Sequence, residues 1–142
     1  MLTATGIHKS HDDLQVLRGV DVSLSAGEVV SIVGPSGAGK TTLLNVLSTL
    51  DRPDSGSVVV NGIDLATLKD KSLARFRNAH IGFVFQFHQL LPEFNALENA
   101  MLPALVGGQP EAQAEAAAMA RLQELGLESR AKHLPSQLSG GE

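Results

Sequence analysis

The segment Gly34-Pro35-Ser36-Gly37-Ala38-Gly39-Lys40-Thr41 satisfies every defined position of the phosphate-binding pattern G-x-x-x-x-G-K-[ST]. Glycines at these spacings let the backbone curl so that successive N–H groups face one point, and a helix that starts where the loop ends aims its positive dipole end there too. Lys40 adds a compact cation and Thr41 a hydroxyl suited to Mg²⁺. The chemistry implied is capture of a nucleoside triphosphate. A second segment, Leu138-Ser139-Gly140-Gly141-Glu142, has serine and glutamate at the spacing of a capping box. That spacing predicts Ser139 as the N-cap of a helix whose first residues are Gly140 and Gly141. Glycines there leave backbone N–H groups unobstructed, so this is a second candidate anion site.

Each motif needs elements to position it. Val29 to Val33 is short, β-branched and bounded by Gly27 and Gly34, as a buried parallel strand should be, and Thr41 to Leu50 reads as the helix after the loop. Upstream, Val16 to Leu24 alternates apolar and polar residues as a strand does, and Ser25-Ala26-Gly27-Glu28 is a turn. Downstream, Asp51 to Gly56 is dense in turn formers, Ser57 to Val60 is a strand, and Asn61-Gly62 is a tight turn. Leu68 to Asn78 reads as a surface helix and Ile81 to Phe85 as a second buried strand running into Gln86.

From about Phe87 the pattern turns helical. Asn95 with Glu98 forms a capping box, opening a segment that Pro103 and Gly107-Gly108 close. Pro110 suits the first turn of a further helix, whose expected apolar face is Ala112, Ala116, Met119, Leu122 and Leu125, ending before Gly126. The organisation expected is therefore a phosphate-loop core over residues 1–87 and a helical subdomain over 88–142.

Composition narrows the function classes. The 142 residues, 43% hydrophobic, suffice for a core, and 11 basic against 15 acidic residues, net charge −4, provide no electrostatic footprint for nucleic acid. There is no cysteine, which fits a reducing compartment, and no apolar run approaches the roughly 20 residues that span a bilayer. His8, His80, His88 and His133 have no ligand partners at metal-site spacing, so Mg²⁺ arriving with nucleotide is the only metal expected. No serine or cysteine nucleophile motif supports other hydrolytic chemistry.

Taken in order, the loop, the Asp51-Arg52-Pro53 turn with Gly56, the Asn61-Gly62 turn with Asp64, Gln86 after a strand, and Leu138 to Glu142 resemble the ATPase subunit of ABC transporters. The last segment is similar to that family's signature motif, with glutamate in place of the commoner glutamine. Gly82 to Phe94, followed by Ala96-Leu97-Glu98-Asn99, is most similar to the lipoprotein-releasing subfamily; macrolide-exporter and cell-division ATPases come close.

The resemblance implies a P-loop α/β fold of the ABC ATPase type, with an antiparallel β part and a helical subdomain. It places Gly34, Pro35, Ser36, Gly37, Ala38, Gly39, Lys40 and Thr41 around ATP, with Thr42 near the α-phosphate. Lys40 and Gln86 are the implied catalytic residues, and Thr41 and Gln86 the implied Mg²⁺ contacts. A glutamine after a strand is by itself an ordinary loop residue, so Gln86 takes its role from the resemblance alone. His11 stands where the family has an aromatic that stacks on adenine, and Ser139 and Gly141 would meet the γ-phosphate held by a second ATPase subunit. The implied partners are that second subunit and transmembrane permease subunits, at the cytoplasmic face of the inner membrane.

In that family the chain continues past the signature with a Walker B strand, a D-loop and a switch histidine. Asp64 cannot serve as the Walker B aspartate, because the Asn61-Gly62 turn separates it from Val58-Val59-Val60. The sequence thus reads as an N-terminal portion of such an ATPase, incomplete at the C-terminus, with apolar sheet surface left uncovered. Two functions compete: an energy-coupling ATPase that drives export of a lipid-anchored substrate, and a nucleotide-binding fragment without turnover. An apolar strand ending in Asp-Glu downstream in the reading frame would favour the first.

Overall fold

A ten-residue strand, β1 (Leu2–His11), lies at the centre of the computed structural model, which describes residues 1–142. The reading above has no strand there, because Thr3, Thr5 and His8 interrupt its apolar residues. Its inward positions are nonetheless small or branched, and Ala4 and Ile7 are fully buried. β1 pairs antiparallel with β2 (Leu14–Leu24) on one side and with β3 (Ser55–Val60) on the other, and β3 turns into the short β4 (Ile63–Asp64). The Asn61-Gly62 turn has both residues at positive φ, 51° and 80°, as a two-residue hairpin requires. Asp64 caps the 3₁₀ turn Leu65–Thr67 by accepting the Ala66 N–H at 2.9 Å.

Two helices complete the first of two compact units, Met1–Arg77; the second is Asn78–Glu142. Helix α1 spans Lys40–Leu47, three residues short of the expected Leu50. It stops because Thr49 turns left-handed (φ 63°) while the Leu50 and Asp51 N–H groups both fold back to Asn45 O, at 2.9 and 3.1 Å. Arg77 of α2 (Asp70–His80) donates to the buried Thr49, at 2.8 Å to its carbonyl. Leu43, Val46 and Leu47 of α1, Val58 and Val60 of β3, and Leu73 and Phe76 of α2 are the buried apolar side chains of these elements.

The loop between α1 and β3 is tied to β1. Lys9 Nζ donates to Asp51 Oδ1 and to Arg52 O, both at 2.8 Å, and the Ser10 N–H donates to Asp54 Oδ2 at 2.7 Å. The Lys9 hydrogen bond, aided by the Arg52 N–H, holds the Asp51 carboxyl below its usual range against the opposing effect of burial. A depressed folded value means this stabilisation is fully present above the unfolded aspartate pKa, about 3.9, and is lost as pH falls through the folded value. We expect Asp51→Asn to melt below the parent at pH 6 and the gap to shrink toward pH 3. A gap unchanged between those pH values in thermal melts would show that the pair contributes no pH-dependent stability.

Two expected strands are absent. Val29 to Val33 and Ile81 to Phe85 form no strand, and Val29 (92%), Val33 (87%) and Val84 (103%) are exposed. Their apolar, partly β-branched composition favours an extended backbone, but a strand exists only where another edge receives its N–H and C=O groups. The observed sheet is accordingly antiparallel rather than mainly parallel.

The second unit is helical. Asn95 caps α3 (Ala96–Val106) in a complete capping box, with the Glu98 N–H to Asn95 Oδ1 at 2.9 Å and the Asn95 N–H to Glu98 Oε2 at 2.8 Å. Pro103 does not close this helix. It lies inside, and its carbonyl accepts from the Gly107 N–H and from Asn78 Nδ2. Helix α4 (Glu111–Glu124) follows Pro110, and its buried face is Ala114, Ala118 and Leu122, against Met101. The expected face is met in part: Leu122 is buried and Met119 half-buried, but Ala112 and Ala116 are exposed and Leu125 is 73% exposed. An alanine-rich helix carries little periodic signal, so the small residues that allow close approach to α3 are legible only after packing.

Candidate phosphate-binding site

The loop Gly34–Gly39 leads directly into α1 and is exposed over most of its length. Gly37 and Gly39 take positive φ, 80° and 86°, and Gly39 is the N-cap of α1. Gly39 has a second reason to lack a side chain. A Cβ there would stand 2.9 Å from Val16 Cγ1 and 3.1 Å from Leu17 Cδ2, so β2 is the seat on which the loop rests. That seat escaped the sequence reading; Val16 and Leu17 were legible only as strand residues.

The first bond of the helix runs from the Leu43 N–H to Gly39 O at 2.8 Å. The Lys40, Thr41 and Thr42 N–H groups precede it and have no intrahelical acceptor, as at any helix start. Lys40 Nζ lies back over the loop, donating to Gly34 O at 2.9 Å and Pro35 O at 2.7 Å, while the Ala38 N–H closes a turn on Pro35 O at 3.3 Å. The cation is thus held against the loop, and Thr41 beside it is exposed. An exposed loop that carries a cation and a hydroxyl and leads into a helix start suits a multiply charged phosphate group. Two cavities of this unit, about 140 Å³ lined by Val46, Val58 and Leu65 among others and about 490 Å³ lined by Thr49, Asp70 and Arg77 among others, include no residue of the loop.

His11 is exposed at the end of β1, in the hairpin whose second strand seats Gly39. Gln86 falls in the second unit, exposed in a bend after the Ile81–Phe85 segment, where Phe83 and Phe85 stack with ring centres 5.4 Å apart. Ser139 and Gly141 also lie in the second unit. The helix expected at Ser139 does not form. Instead Ser139 to Glu142 is a single turn, with the Glu142 N–H to Ser139 O at 3.1 Å and the Ser139 N–H to Glu142 Oε2 at 2.8 Å. Only the glutamate half of the capping box is present. The Ser139 N–H and hydroxyl, with Arg130, hold the Glu142 carboxyl below its usual range.

Glycine and lysine spacing therefore brings Gly34 to Thr42 together within the first unit, while Gln86, Ser139 and Gly141 belong to the second. No group of three or more His, Cys, Asp or Glu side chains could hold a metal, and no helix is long and apolar enough to cross a membrane.

Comparison with known proteins adds a second line of support. The sequence model of the family described as ABC transporter matches residues 17–142. The lipoprotein-releasing system ATP-binding protein LolD of Bacteroides fragilis is 57% identical over all 142 residues, and that of Porphyromonas gingivalis 53%. The chain spans 66% and 65% of the length of those two relatives. Among solved structures, a dimeric bacterial ABC transporter cassette, MJ0796, matches with a TM-score of 0.89 at 36% identity, over 99% of this chain and 64% of that one. The same cassette in a post-hydrolysis state, dimeric and bound to ADP and Pi, matches with a TM-score of 0.87 at 36% identity and the same coverage.

Proposed function

The chain belongs to the ABC transporter family, and from that premise we propose that it is the nucleotide-binding part of a transporter ATPase that releases lipid-anchored proteins from a membrane. The observation that carries this reading is the loop itself, with Lys40 lying 2.7 to 2.9 Å from two loop carbonyls beside the free amides at the start of α1. On binding ATP, Lys40 exchanges those neutral acceptors for phosphate oxygens, which are stronger acceptors. Phosphoryl transfer needs little from a protein beyond positioning and charge stabilisation, and Gly34 to Thr42 supply both.

The exposed Thr41 hydroxyl beside the loop suits Mg²⁺ of the kind that keeps several waters and is shared with phosphates; in this reading Thr41 and Gln86 would contact the ion that arrives with ATP. Bound there, Mg²⁺ would offset negative charge on the phosphates. Thr41→Ala is expected to weaken nucleotide affinity more with Mg²⁺ than with excess chelator. Equal losses in the two titrations would remove Thr41 from the metal site.

In this reading His11 stacks on adenine, Gln86 meets the metal or the attacking water, and Ser139 and Gly141 meet the γ-phosphate bound by a second copy. The proposed loop core, residues 1–87, and helical part, residues 88–142, divide ten residues beyond the boundary of the compact units at Arg77. The names of the similar LolD proteins support lipoprotein release, and the dimeric cassettes support pairing of two copies. Attachment to transmembrane permease subunits would place the protein at the cytoplasmic face of the inner membrane. The test is to express the complete reading frame with candidate permease subunits in proteoliposomes carrying a lipid-anchored protein. ATP-dependent release of that protein is the expected result; ATP hydrolysis with no release would sink the substrate assignment.

A further inference from the structure

Glu142 stands where the family's signature commonly has glutamine, and its carboxylate has two separate partners. Oε2 accepts the Ser139 N–H at 2.8 Å, closing the signature turn, while Oε1 accepts Arg130 Nε at 3.0 Å. Arg130 ends the 3₁₀ turn Glu128–Arg130 after α4, and its Nη1 lies 3.4 Å from His133 Nε2. That stretch is anchored in turn: Ala131 is buried, and the Leu97 N–H and Ala96 N–H at the start of α3 donate to Ala131 O and His133 O, both at 2.9 Å. One carboxylate therefore joins the diglycine turn to the stretch that caps the start of α3.

We infer that Arg130 is a positioning residue for the signature segment, holding Glu142 so that the Ser139–Gly141 amides are presented in a fixed turn. A carboxamide at position 142 has one acceptor oxygen and no charge, so it could hold the Ser139 N–H or Arg130 but not clamp both with equal strength. The pair sits at the edge of a cavity lined by Leu127 and Leu138, and Glu142 is 25% exposed against 46% for Arg130. Both residues are nonetheless exposed, so the clamp works as a surface pair. The inference rests on the proposed phosphate-binding role of the signature only for its functional consequence; the clamp itself is a statement about this turn.

Two measurements separate those parts. In the first, amide hydrogen exchange at Ser139 and Glu142 is followed for wild type, Arg130→Gln, Arg130→Lys and Glu142→Gln. Arg130→Gln is expected to speed exchange roughly two- to fivefold, the size of an exposed ion pair, with partial recovery in Arg130→Lys. Unchanged exchange in Arg130→Gln overturns the clamp. In the second, the complete reading frame is assayed for ATP-dependent association of two copies. Arg130→Gln is expected to raise the ATP concentration for half association by a similar factor, and to have almost no further effect when Glu142→Gln is already present. Affinity of the single copy for a fluorescent ATP analogue should not change. Fully additive effects, or a lower melting temperature with the ATP dependence intact, overturn the positioning role. A wild type that shows no ATP-dependent association overturns both the signature's proposed role and the positioning role, and leaves the exchange result to decide the clamp.

Discussion

Replacing Lys40 with alanine is expected to lower ATP affinity about a hundredfold. Each charge-assisted hydrogen bond contributes roughly 1.5–3 kcal/mol, and the ammonium can direct more than one donor at the phosphates. Lys40 is the only cationic side chain in the loop Gly34–Thr41, so no neighbour can replace it there. Its present contacts are two exposed backbone carbonyls, Gly34 O and Pro35 O, which water can satisfy once the side chain is gone. The substitution should therefore leave the melting temperature of the nucleotide-free protein nearly unchanged. Titration with a fluorescent ATP analogue, alongside a thermal melt, measures both. Equal affinity for wild type and Lys40→Ala in folded samples would show that the phosphate-loop reading is wrong.

Gly56→Ala is expected to be the most destabilising single-methyl addition in the first unit. Gly56 sits at the start of β3 with φ 97°, and a Cβ there would lie 2.7 Å from both Gly6 C and Thr5 O, and closer still to Gly6 O. Those are backbone atoms of the central strand, at the irregularity where the β1–β3 register shifts between Thr5 and His8. They cannot swing aside as the tip of a side chain can. Left-handed strain of about 1–2 kcal/mol adds to the cost of separating two paired strands, for a total of roughly 3 kcal/mol or more. Gly62→Ala is the matched control: φ is 80°, but its Cβ would meet nothing within 4 Å, so it should cost only the strain. Urea unfolding of the two variants compares them directly. Equal losses would mean that the close approach of β3 to β1 relaxes freely.

The elements that could be read from sequence are those whose cause is local. The loop pattern, the Asn61-Gly62 hairpin turn and the Asn95/Glu98 capping box each depend on residues within seven positions of one another in the chain, and each is present as read. The helix after the loop and the one near Leu68–Asn78 were legible because glycine and charge boundaries frame them, although their ends moved by up to three residues.

What escaped the sequence depends on a distant partner. β1 was missed because its alternation is masked by polar residues, and its place at the centre of the sheet comes from pairing with β2 and with β3, more than 40 residues away in the chain. Val29 to Val33 and Ile81 to Phe85 read as strands from their apolar, partly β-branched composition and form no ladder, since composition favours a backbone region but pairing needs another edge. The same distinction governs the site. The sequence by itself determined which residues could hold phosphate, because glycine spacing and a lysine fix the local curl and charge. Only the tertiary structure decided that Gly39 rests on Val16 and Leu17 and that Glu142 is held by Arg130, because a close approach between segments is set by packing and leaves no periodic trace in the chain.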